Sequence, residues 1–163
     1  MTFTKSEPLI LIVEDSEDDA FFLERTLSKT GLPCRRRYLA NGGDAVRYLG
    51  DCNGRPAEEL PLLILLDLKM PVLSGFEVLR WIRENSPPGE RDVIILSGSD
   101  QVADVRLARD LGASGYLVNP ARVEELKACL GPRIARWQEA SRRQEGEVSL
   151  SRPELSHEPG TLV

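Results

Sequence analysis

The chain has 163 residues, a formal net charge of -5 and a sequence pI near 5.1. That length suits one domain with a single apolar core and some chain to spare, and the acidic balance offers no broad positive field, so direct DNA binding and an anionic membrane surface are not expected. Cys34, Cys52 and Cys129 are an odd set without close pairing, as in reduced thiols of a cytoplasmic protein, and the one histidine, His157, sits among Pro, Gly, Ser and Glu near the end of the sequence. Without imidazole in the folded part, a Ser-His-Asp hydrolase, a multi-histidine zinc centre and a phosphohistidine carrier are excluded.

In chain order, "PLILIV" from Pro8 is a strand, too short for a membrane span and without a cleavage site. Ser16 to Ser28 follows with helical spacing, Ala20, Leu23 and Leu27 on one stripe, and acids at Glu17, Asp18 and Asp19 suited to a helix start. "CRRRYLA" is a weaker strand whose arginines place it at a sheet edge, and Asp44 to Leu49 is a short helix. "PLLILLDL", "DVIILSG" and "GYLVNP" are further strands of the kind buried on both faces of a parallel sheet. Between and after them come helices over Ser74 to Asn85, Asp100 to Leu111 and Arg122 to Leu130, with Gly31 and Gly112 as stops. The alternation predicts an α/β fold, an open doubly wound parallel sheet with helices on both faces.

In such a sheet the functional crevice lies beyond the carboxyl ends of the strands. The first strand ends in Glu14-Asp15, the third in Asp67, the fourth in Ser97 and the fifth in Asn119-Pro120. A lone acid after the greasy run "LILL" is expensive. Three carboxylates converging at one rim repel one another unless a cation is present, and oxygen donors without His or Cys suit Mg²⁺.

These residues, with "LLDLKMP", "SGFEVLR", "VIILSG" and "GYLVNP" at the matching strand ends, resemble the receiver domain of bacterial response regulators from about Pro8 to Leu130. The style resembles single-domain regulators paired with bacterial phytochromes. The resemblance implies a flavodoxin-like (CheY-like) sheet of five strands in the order 2-1-3-4-5. It implies that Asp67 accepts a phosphoryl group from a histidine kinase or phosphotransfer protein, with Mg²⁺ held by Asp15, Asp67 and the Lys69 backbone carbonyl, and Glu14 acting through metal-bound water. Ser97 would contact the phosphoryl group, and Tyr116 would then reorient and reshape the surface offered to a downstream protein. The chain would be no enzyme beyond catalysing its own phosphorylation and dephosphorylation.

One departure matters. The family places lysine where this chain has Asn119, before a proline whose peptide bond is cis in receivers. A unit charge pair at about 4 Å and an effective dielectric of ~20 is worth roughly 4 kcal/mol before desolvation. The alternative is therefore a pseudo-receiver, a docking module independent of phosphate. Two other readings fare worse: a haloacid-dehalogenase-type enzyme needs a second acid where Lys69 stands, and "EDSEDD" would repel the phosphate of a flavodoxin-like nucleotide binder.

The receiver is expected over residues 1–131. Gly131-Pro132 breaks the helical pattern, "RIARWQEASRRQ" reads as a separate helical extension over 132–144, and residues 145–163 as a mobile tail. Ile134 and Trp137 share one side of that extension, either packed back on the domain or forming a partner or homodimer contact beside the fourth and fifth helices.

Overall fold

The computed structural model describes residues 7–86 and 90–150. The chain alternates β1 (Leu9–Val13), α1 (Glu17–Thr30), β2 (Arg35–Leu39), α2 (Gly42–Asp51), β3 (Pro61–Leu66), α3 (Gly75–Asn85), β4 (Asp92–Ser97), α4 (Val102–Asp110), β5 (Gly115–Val118) and α5 (Val123–Leu150), with one 3-10 turn at Ala57–Glu59. All pairings are parallel and the order is β2-β1-β3-β4-β5, as expected.

Because side chains alternate along a strand, each central strand serves two cores. Leu11, Val13, Ile64, Leu66, Val93 and Ile95 face α2, α3 and α4, which contribute Ala45, Leu49, Val78, Leu79, Ile82 and Ala108. Ile10, Ile12, Leu63, Leu65, Ile94 and Leu96 face α1 and α5, which bring Leu23, Leu27, Leu126, Leu130 and Ile134. Each such aliphatic side chain contributes about 1.5–3 kcal/mol by leaving water.

Local signals set the helix starts. Ser16 accepts from the Asp19 N–H, Asn41 from that of Asp44, and Ser74 forms a reciprocal capping box with Glu77. Gly31 and Gly112 take the positive φ that ends α1 and follows α4. The β2 arginines do sit at an edge, though Arg36 is folded under and paired with Glu24 at 2.6 Å.

Two expectations need correction. β5 is not buried on both faces: it is the other edge strand, half-covered, with Val118 exposed. Gly131-Pro132 does not break the last helix, which runs unbroken to Leu150, so 132–144 is no separate segment and residues 145–150 are helical. Pro132 removes one backbone hydrogen bond. The buried stripe Leu126, Leu130, Ile134 nevertheless continues through it, and Arg133, one residue on, donates to the Cys129 carbonyl at 2.6 Å and pairs with Asp92 on β4. Packing outweighs the local breaker. Trp137 is half-buried. His157 and residues 151–163 of the expected tail lie outside the described residues.

Candidate phosphoacceptor and metal site

Glu14, Asp67 and Asn119 stand just past strands, each fixed by one more rung of the parallel ladder, and Ser97 ends β4. Glu14 donates its N–H to the Leu39 carbonyl at 3.0 Å, Asp67 to Val13 at 3.0 Å, and Asn119 to Ser97 at 2.8 Å. The acid rim is thus built on sheet, with little freedom to disperse. Asn119-Pro120 is cis.

Behind Asp67 the chain turns back sharply. Gly75 donates to the Leu68 carbonyl at 2.9 Å, and a Cβ at Gly75 would lie 2.7 Å from the Leu68 Cα and closer still to the Asp67 carbonyl oxygen. Only glycine fits this approach. At the tip of the loop, Leu73 N–H donates to the Pro71 carbonyl at 2.9 Å across Val72, whose φ is 69°. That is a γ-turn of the strained, positive-φ kind.

Glu14, Asp15 and Asp67 each offer a carboxylate oxygen, and these oxygens lie within 4.8 Å of one another. Asp15 is exposed, Asp67 half-covered, and Glu14 only 7% exposed. Burial, opposed by the Ser16 N–H and reinforced by Asp67, Asp19 and Asp15, pushes the Glu14 carboxyl up to about 8. Burial likewise raises Asp67 to about 6, against the N–H of Lys69 and with the charge of Asp15. Lys69 N–H reaches Asp67 Oδ1 at 3.4 Å. Such crowding marks a place where a cation relieves repulsion, and all-oxygen donors match a hard divalent ion such as Mg²⁺.

The acids open into a cavity of about 810 Å³ that Lys69, Ser97, Gly98, Asn119 and Pro120 also line. Ser97 is fully buried and its Oγ accepts from the Ser99 N–H at 3.3 Å. Of the residues singled out from sequence, Glu14, Asp15, Asp67, Lys69, Ser97 and Asn119 share this cavity, while Tyr116 does not line it. Tyr116 is half-buried and donates its hydroxyl to the Ser99 carbonyl at 2.7 Å, on the loop after Ser97.

Sequence reasoning missed the opposite wall. Asp19, Phe22, Arg25, Thr26 and Lys29 on α1 line the same cavity. Their spacing of three to four was a usable signal, since residues so spaced share a helix face.

The description "Response regulator receiver domain" matches residues 10–130. Protein PilH of Pseudomonas aeruginosa is 32% identical over 117 residues, 72% of this chain and 89% of PilH. Other curated relatives are longer, the matched stretch covering 63%, 50% and 26% of three of them. Among solved structures, the bacteriophytochrome response regulator RtBRR superposes with a TM-score of 0.66 at 25% identity, over 96% of this chain and 99% of that one. The Mn(2+)-bound form of response regulator Rcp1 gives 0.61 at 28% identity, over 81% and 95%. Matched from β1 through the first two turns of α5, the chain belongs to the response regulator receiver domain family of two-component signalling.

Proposed function

We propose that this chain is a response regulator receiver that takes a phosphoryl group from a histidine kinase, or from a phosphotransfer protein, onto Asp67 and signals by protein contact. The observation that carries this reading is the meeting of three carboxylate oxygens within 4.8 Å in a cavity that Ser97 and Asn119 also line. Asp15, Asp67 and the Lys69 backbone carbonyl would hold Mg²⁺, with Glu14 acting through a water, and the ion would supply positive charge to offset that on the transferring group. The family's acidic residues generally serve this purpose, and Rcp1, a structural neighbour, has a Mn(2+)-bound form.

An Asp67 oxygen attacks phosphorus, the new O–P bond forms, and the P–N bond to the donor imidazole breaks with its electron pair leaving on nitrogen. Ser97 donates its hydroxyl to a phosphoryl oxygen, and Asn119 donates a neutral hydrogen bond where the family carries lysine. Ser97's movement reaches Tyr116 through the Ser99 carbonyl that the tyrosine hydroxyl holds. The population then shifts between two shapes of the α4-β5-α5 face. That face, with the α5 extension beyond the sheet, is the surface for a downstream protein or a second copy. Among the described residues no helix is long and apolar enough to cross a membrane, and we assign the chain to the cytoplasm.

Asn119 also favours a second reading, the phosphate-independent docking module. Incubation of the full chain with Mg²⁺ and acetyl phosphate separates the two. We expect one hydroxylamine-labile phosphate per chain, absent from Asp67→Asn. An unmodified wild type beside a modified Asn119→Lys variant would establish the docking module instead.

A further inference from the structure

The cavity holds more charge than the acid rim explains. Three cations, Arg25, Lys29 and Lys69, line it with Glu14, Asp15, Asp19 and Asp67. Among the described residues none of the three is in an ion pair, whereas Arg36, Arg47, Arg122 and Arg133 each are. Replacing the single charge of Asp67 by an acyl phosphate brings the group to about two negative charges at neutral pH. One divalent ion cannot balance that group together with Asp15, and Asn119 is neutral.

Position decides which cation can. Arg25 and Lys29 lie six and ten residues along α1 from Asp19, about 9 and 15 Å up the helix, and Arg25 sits over the Phe21 ring at 5.9 Å. Lys69 is two residues from Asp67, within about 7 Å of it along the chain, and its backbone N–H already points at Asp67 Oδ1. Its side chain is exposed and unpaired.

We infer that the Lys69 ammonium pairs with the phosphoryl oxygens on Asp67 and supplies the positive charge that Asn119 lacks. This rests on the phosphoacceptor reading. The lysine then has two separate tasks, its carbonyl toward the cation and its side chain toward the anion.

The test follows the initial rate at which the full chain, with saturating Mg²⁺, takes phosphate from subsaturating acetyl phosphate. In that step an Asp67 oxygen bonds phosphorus, and the P–O bond to acetate breaks with its electron pair leaving on acetate. Lys69→Met is expected to slow it about tenfold, Lys69→Arg to keep most of it, and 1 M salt to slow wild type far more than Lys69→Met. In an Asn119→Lys background, Lys69→Met is expected to cost less than about twofold, since the lysine there takes over the charge. Each variant's thermal midpoint checks that the exposed substitution leaves the fold alone. A labelled wild type with Lys69→Met equally fast, or with Arg25→Met or Lys29→Met equally slow, overturns this role and leaves the phosphoacceptor reading intact. So does a loss in the double variant as large as in the single one. A wild type that takes no phosphate overturns both.

Discussion

Glu24 on α1 and Asp92 at the start of β4 are partly buried beside arginines, whereas Glu14 and Asp67 at the other end of the strands are covered within a field made by other acids. Glu24 pairs with Arg36 at 2.6 Å and accepts from the Tyr38 hydroxyl, and Asp92 accepts from Arg133. Despite the cost of burial, these partners hold both carboxyls below the usual range. Glu14 and Asp67 are raised, to about 8 and about 6. The same chain therefore completes its charges where they tie one element to another and leaves them uncompensated at the rim, where the proposed cation would complete them. A strained, raised, incomplete set of acids reads as a binding site; a lowered, paired one reads as structure.

The contrast breaks most sharply through its paired half. Arg133→Met leaves Asp92 partly covered without its hydrogen-bonded guanidinium and withdraws the side-chain donor to Cys129 beside Pro132. With side-chain exposures of 21% and 30% the pair is partly screened. A loss of about 2 kcal/mol is expected, below the ~3–5 of a fully buried pair. Urea denaturation measures it, and a loss under about 0.5 kcal/mol would place Asp92 with ordinary surface acids.

The unpaired half predicts the opposite sign. Glu14→Gln removes a charge that the fold disfavours, so without divalent ions it should stabilise the chain at pH 8 by about 1–2 kcal/mol. The pH dependence follows from the directions. A raised carboxyl contributes stability fully present below its unfolded value, here 4.5 for Glu14 and 3.8 for Asp67, and lost as pH climbs through about 8 for Glu14 and about 6 for Asp67. The lowered Glu24 and Asp92 contribute stability present above those values and lost as pH falls through their depressed folded ones. The metal-free thermal midpoint is therefore expected to peak in mild acid and to decline toward pH 8. Mg²⁺ should raise it much more at pH 8 than at pH 5, and less in Glu14→Gln. Equal Mg²⁺ shifts at both pH values would separate ion binding from the acid rim.

How much of this the sequence disclosed depends on how local each cause is. Glu14, Asp15, Asp67, Ser97 and Asn119 were legible because an apolar run stops abruptly at each, and a parallel sheet carries all such stops to one edge. Continuity of α5 was not, since Gly131-Pro132 is a breaker by local propensity while burial of Ile134 against the sheet decides the outcome. The α1 wall was half legible. Periodicity assigns Leu23 and Leu27 to the core, but only the assembled sheet shows that Phe22, Arg25 and Lys29 look across to Asn119. Local sequence makes Arg36 an edge charge, whereas its burial under Glu24 and Tyr38 depends on how α1 crosses β2.

The smallest effect lies in the backbone of the incomplete end. Val72 is the one non-glycine residue at positive φ among those described, and its side chain is wholly exposed, so no packing holds it there. A β-branched side chain in that region costs about 1–2 kcal/mol, which asparagine largely avoids. The turn persists because both flanks are fixed: Gly75 is held to the Leu68 carbonyl, and Gly42 of α2 leaves no room beside the Leu73 carbonyl. Val72→Asn is thus expected to raise stability by about 1 kcal/mol, with no change in the pH at which Glu14 and Asp67 titrate. If the substitution gained nothing, the strain would lie in the Gly75 approach and not in the turn. If it gained stability and also weakened Mg²⁺ binding, the strain would belong to the site, holding the Lys69 carbonyl where a cation meets it.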